Sequence, residues 1–80
     1  MFFKKITVRS GENLDFDGHP RANQSWYIID GDGYVVTDGQ RMDVRPDKSF
    51  HFLAKQSRQV IARTDIIIVE ATPRWASDDI

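Results

Sequence analysis

Apolar and polar residues alternate with a period of two over much of the chain. Leu14 and Phe16 share one side of a short run. Met42 and Val44 share another, with Arg41, Asp43 and Arg45 opposite. Phe50 and Phe52 face away from Ser49, His51 and Leu53, and Arg58, Val60 and Ala62 fall on one side. A two-residue period is that of a β-strand, whose successive side chains leave opposite faces. Phe2–Val8 is rich in aromatic and β-branched residues and predicts a strand of its own. Ile66–Val69 is an unbroken apolar run, as expected of a strand buried on both faces. No stretch of useful length has helical periodicity.

The stretch Ser25–Gly33, Ser-Trp-Tyr-Ile-Ile-Asp-Gly-Asp-Gly, is the centre of this pattern. It predicts a fully buried strand over Ser25–Asp30, a tight hairpin turn at the two Asp-Gly pairs, and a partner strand Tyr34–Thr37. Asp38-Gly39 is a second hairpin signal, and Ser10-Gly11, Pro46-Asp47-Lys48 and Thr64-Asp65 mark further turns. Asp17–Gln24 holds Gly18, Pro20 and Asn23 and reads as a loop. The remaining strands are Glu12–Phe16, Gln40–Arg45, Ser49–Leu53 and Arg58–Arg63. The expectation is an all-β fold that closes into a small jelly roll or barrel to hide its edges. One domain spans residues 1–80, with the barrel over about 2–71 and a tail over 72–80 whose Trp75 docks on the barrel or on a partner.

Composition narrows the picture. An 80-residue chain buries only roughly 60–65% of its unfolded surface, so small domains lean on disulfides, a metal or a partner subunit. With no cysteine, disulfides are excluded. The apolar residues are rich for so small a core: Phe2, Phe3, Tyr27, Ile67 and Trp75 cannot all be internal, which points to a homodimer. No apolar run approaches the ~20 residues of a membrane span. Met-Phe-Phe-Lys-Lys sets its apolar residues before the lysines, the wrong order for a signal peptide, so a cytoplasmic location is expected. A net charge of −1 gives no general attraction to nucleic acid or to a membrane. Basic residues do gather over Gly39–Thr64, where Arg41, Arg45, Lys48, Lys55, Arg58 and Arg63 face only Asp43 and Asp47. They are either solvated strand edges or a set of which a few converge on an anion.

Candidate chemistry is sparse. There is no thiol nucleophile, no nucleophile-elbow context around any serine, and no helix after Gly31-x-Gly33 to make it a phosphate loop. The order of elements is more informative. A His-containing loop, a strand ending in Gly-Asp-Gly, a strand, Asp-Gly, a strand, Pro-Asp-Lys, an aromatic strand, a loop and a last pair of strands together resemble a minimal cupin over roughly Glu12–Ala71. The cupin motif Gly-x5-His-x-His-x3–4-Glu-x6-Gly, anchored on Gly31, puts Gln24 at the glutamate position and Asp17 and His19 at the histidine positions. The second motif puts Arg58 where a fourth metal ligand would stand.

The resemblance implies that any divalent metal would use Asp17, His19 and Gln24. Gln24 offers only a neutral carbonyl oxygen, and Arg58 has no lone pair and stays protonated. The expectation is therefore no metal cofactor. Arg58, pointing into the barrel, needs a counter-charge, which is Asp17 or a bound carboxylate or phosphate. The candidate ligand-binding set is Asp17, His19, Gln24, Trp26 and Arg58, with Trp26 as an apolar wall or as plain core. His19 otherwise reads as a hydrogen-bonded or solvated loop residue, and His51 as an ordinary mid-strand residue. Three functions compete: a metal-free module binding a small anion, a cupin enzyme (sugar-type isomerase, epimerase or lyase, or metal-dependent oxygenase) using Asp17 or His19, and a structural or interaction role through a homodimer.

Overall fold

The structure is a computed structural model that describes residues 1–79, with side chains through Ala76. Eight strands follow one another: β1 (Phe2–Val8), β2 (Asn13–Phe16), β3 (Gln24–Asp30), β4 (Gly33–Thr37), β5 (Gln40–Val44), β6 (Ser49–Phe52), β7 (Arg58–Ala62) and β8 (Ile66–Thr72). A short 3-10 turn over Arg74–Asp79 comes after them. The strands form two four-stranded sheets, one ordered β1-β8-β3-β6 and the other β2-β7-β4-β5, with every pair antiparallel. The even-numbered residues of β1, β3, β6 and β8 point at the second sheet, and those of β2, β5 and β7 point back. Trp26, Phe52, Ile28, Ile66, Ile68, Val35, Val44 and Val60 fill the space between. Among the described residues no helix is long and apolar enough to cross a membrane.

Only β4 and β5 are both consecutive and paired. Their turn is Asp38-Gly39, with φ of 50° and 77°, the positive angles that a two-residue hairpin needs. The Asp-Gly pairs at Asp30–Gly33 do something else. They carry the chain from β3 in one sheet to β4 in the other, so the hairpin expected there is a corner between sheets. The glycines are required by space. A Cβ on Gly31, which has a φ of 108°, would lie 2.4 Å from the Asp65 carbonyl oxygen, and one on Gly33 would lie 2.1 Å from that of Ile61.

Two further expectations change. β3 is buried on one face only, because Tyr27 and Ile29 alternate outward and are exposed. β8 does not stop at Val69. It runs to Thr72 between β1 and β3, its inner face made of Ile66, Ile68, Glu70 and Thr72 and its outer face half-buried. The apolar run was therefore not a sign of two equally buried faces.

The residue that ties down the chain after β8 is Ala76, fully buried, while Trp75 stays 65% exposed and does not dock on the barrel. Trp26 has no exposed surface. Acrylamide quenching of tryptophan fluorescence should therefore resolve two populations, one open and blue-shift-free, one protected. A single accessible population would contradict the burial of Trp26.

Candidate functional site

Arg58 opens β7 and shares its inner face with Val60 and Ala62, so alternation sends it between the sheets. It is 3% exposed. Its guanidinium lies over the Phe52 ring, 4.0 Å from the centroid, and 5.0 Å from that of Trp26. Such stacking suits a planar, weakly hydrated cation. Nη1 donates to the Asp17 carbonyl oxygen at 3.1 Å and to Gln24 Oε1 at 3.2 Å, and Nη2 donates to the same Oε1 at 3.3 Å. The end of the fork is thus closed by one neutral amide oxygen. Nε is buried and has no hydrogen-bond partner. Gln24 is held in place by its own Nε2, which donates to Thr72 Oγ1 at 3.0 Å.

Glu70 is the residue that alternation within the chain should have revealed. It is 7% exposed and faces inward from β8, and its Oε2 accepts a hydrogen bond from Trp26 Nε1 at 2.8 Å. Burial lowers the pKa of Arg58, and the charge of Glu70 partly offsets that. Carrying the parity of Ile66 and Ile68 two and four residues further would have placed Glu70 and Thr72 in the interior.

The other expected residues take different roles. The Asp17 side chain is exposed, and Asp17 meets Arg58 through its backbone carbonyl, so the expected carboxylate counter-charge is supplied by Glu70 instead. His19 is buried in the loop before β3. Its Nδ1 accepts from the amides of Arg21 and Ala22 at 3.0 and 2.9 Å, which leaves the proton on Nε2, 3.2 Å from the Ala76 carbonyl oxygen. The imidazole is a clasp joining the loop to the end of the chain. Trp26 is core and a donor to Glu70. His51 is exposed at mid-strand, within hydrogen-bond reach of Ser25 Oγ at 2.9 Å.

Gly18 lets the loop lie flat on its neighbour: a Cβ there would be 2.4 Å from the Gln56 backbone nitrogen. Lys55 N donates to His19 O at 2.7 Å across the same contact. Between this loop and β1 opens a crevice of about 240 Å³, lined by Lys4, Ile6, Phe16, Asp17, Gly18, His19, Pro20, Gln24 and Glu70. Arg58 is not in that lining; it borders a second crevice of about 390 Å³ together with Asp15, Phe16, Asp17, Val36, Ser57 and Gln59. Among the described residues no group of three or more His, Cys, Asp or Glu is arranged to hold a metal ion.

Two sheets in this strand order, with the mouth loop between β2 and β3, match solved structures closely. A protein from Photorhabdus luminescens superimposes with a TM-score of 0.81 over 94% of this chain and 64% of its own, at 12% identity. A cupin superfamily protein from Desulfitobacterium hafniense gives 0.76 over 88% and 63%, at 14% identity. The fold is that of the cupins. A de novo designed double-stranded β-helix gives 0.72 over 91% of this chain and 100% of its own, at 18% identity, so the cupin scaffold matches here at its bare minimum. The chain spans about half to two-thirds of the natural cupin-fold structures it matches, among them an ectoine synthase from P. lautus. No family model and no curated protein matches the sequence.

Proposed function

We propose that the protein is a cupin-fold binding module, working without a metal centre, that takes a small anionic molecule through Arg58, at the crevice this arginine borders. The observation that carries this reading is a buried, inward arginine whose Nε lacks a partner and whose Nη groups meet only neutral oxygens, the Gln24 amide and the Asp17 carbonyl. A carboxylate reaching the guanidinium competes with these neutral oxygens, and an ionised acceptor bonds a guanidinium roughly twice as strongly. A divalent cation would need imidazole or carboxylate donors. Here both His19 nitrogens are committed to backbone groups, the Asp17 carboxylate is exposed and Arg58 adds a fixed positive charge, so these residues do not fit one. The same hydrogen bonds weigh against His19 as a catalytic acid or base in an enzyme.

The test is the Arg58 Nε–H signal in a nitrogen-15 NMR spectrum, followed while acetate, succinate or inorganic phosphate is added to millimolar concentration. At least one carboxylate should shift it and protect the fold against heat. No shift with any of the three overturns the reading.

The proposal extends to self-association. Phe3, Tyr27, Ile29 and Leu53 are exposed on the outer side of the first sheet or its continuation, beside half-buried Ile67 and Val69. An apolar face of this kind suits a two-fold contact between copies of the chain. Light scattering at micromolar concentration should give a dimer that Ile29→Lys converts to monomer. A wild-type monomer would count against it.

A further inference from the structure

Ser25 and His51 stand side by side on the outer face of the first sheet. They are register partners across β3 and β6, and the odd-numbered positions of both strands turn away from the core. Ser25 Oγ lies 2.9 Å from His51 Nδ1. Both residues line a crevice of about 340 Å³ that shares no residue with the one bordered by Arg58. With its proton on Nε2, the imidazole accepts from the serine hydroxyl through Nδ1. A nucleophile within hydrogen-bond reach of a base is the starting arrangement for covalent catalysis.

The crevice holds further parts. Asn23 lines it too, two residues before Ser25. Asn23 Oδ1 accepts from Ala54 N at 3.0 Å, which fixes the amide and leaves Nδ2 as a donor with no partner among the described residues. An amide donor of this kind can stabilise the oxyanion that forms when a carbonyl becomes tetrahedral. Met1, Leu53 and Pro73 supply an apolar wall for an acyl chain. No acidic or basic side chain other than His51 lines the crevice, which suits an uncharged substrate.

We infer that Ser25 and His51 form an acyl-transfer site for small uncharged esters, separate from the binding function proposed for Arg58. Ser25 Oγ attacks the ester carbonyl while its proton passes to His51 Nδ1. The carbon–oxygen bond to the alcohol breaks, and the alcohol leaves with that proton. Water then attacks the acyl-serine, its proton passes through His51 back to Ser25 Oγ, and the carboxylic acid is released. Ester and water are consumed, acid and alcohol are formed, and nothing is oxidised or reduced. Among the described residues no group holds His51 Nε2 as the carboxylate of a triad would, so the base contributes at the low end of its usual ~10²–10⁴-fold range.

The experiment treats the whole protein with p-nitrophenyl acetate and locates the acetyl group by peptide mass spectrometry. Wild type and Ile29→Lys are both used, because exposed Leu53 also belongs to the apolar face read as the contact between copies. In at least one of them Ser25 should carry a hydroxylamine-labile acetyl group, and His51→Gln should slow its formation about a hundredfold. Ser49, exposed two residues before His51, is the internal control. Ser25 left unmodified in both proteins, acetylated no faster than Ser49, or acetylated equally fast in His51→Gln overturns the site. The comparison of Ser25 with Ser49 decides even if His51→Gln fails to fold, and neither result bears on Arg58.

Discussion

Gly33→Ala is expected to remove a large share of the stability of the folded state. The glycine sits at the start of β4, buried, opposite Ala62 of β7. An added Cβ would lie 2.1 Å from the Ile61 carbonyl oxygen, 3.0 Å from Ile66 Cδ1 and 3.2 Å from Ala62 Cα. Side chains can swing away from an intruding methyl group, but a carbonyl in a paired strand cannot. Overpacking a core costs typically about 1–3 kcal/mol, more where backbone must move. At ~0.05–0.15 kcal/mol per residue, a chain of 80 residues has only about 4–12 kcal/mol in total. A loss above about 3 kcal/mol in urea denaturation is therefore expected. Gly39→Ala is the control: its φ is 77°, but no atom lies within 4 Å of the added Cβ. It should cost only about 1–2 kcal/mol from the left-handed backbone. Equal effects at the two positions would show that space at the corner is not what Gly33 supplies.

The second large effect is expected at Arg58. Arg58→Met removes the donors to Gln24 Oε1 and the Asp17 carbonyl, the stacking on Phe52 and Trp26, and a buried positive charge that interacts with Glu70. Breaking a buried charge arrangement by deleting one member costs about 3–5 kcal/mol, because the other charge stays behind. Glu70→Gln in the same protein should recover part of that loss, since a neutral amide can still accept from Trp26 Nε1. Denaturation of both single variants and the double variant closes the cycle. Additivity within about 0.5 kcal/mol would mean that the two groups are not coupled.

The strands were legible because each has one buried face, and burial on one face writes a period of two into the sequence. Phe50 and Phe52, or Arg58 with Val60 and Ala62, needed nothing beyond that rule. The pairing of strands was not legible. Local turn chemistry specifies a partner only when that partner comes next, as at Asp38-Gly39. At Asp30–Gly33 the same residue types serve a close approach to β7 and β8, which no local pattern encodes. The site divides in a similar way. The order of motifs points to Arg58, and parity sets it on the face of Val60 and Ala62. Asp17 was misassigned because motif spacing identifies a position, not whether its side chain or its carbonyl turns inward. Glu70 was missed because an apolar run was ended at its first charge, although that charge continued the inward row.

The place of β8 also governs when the chain can fold. It lies between β1 and β3, and its pairing joins Phe2 to Thr72. A nascent chain emerging from the ribosome therefore holds β1 and β3 with no strand to bridge them until β8 has been made. The seven earlier strands wait with open edges for this one segment, and pairing across so long a separation makes folding slow for a domain of this size.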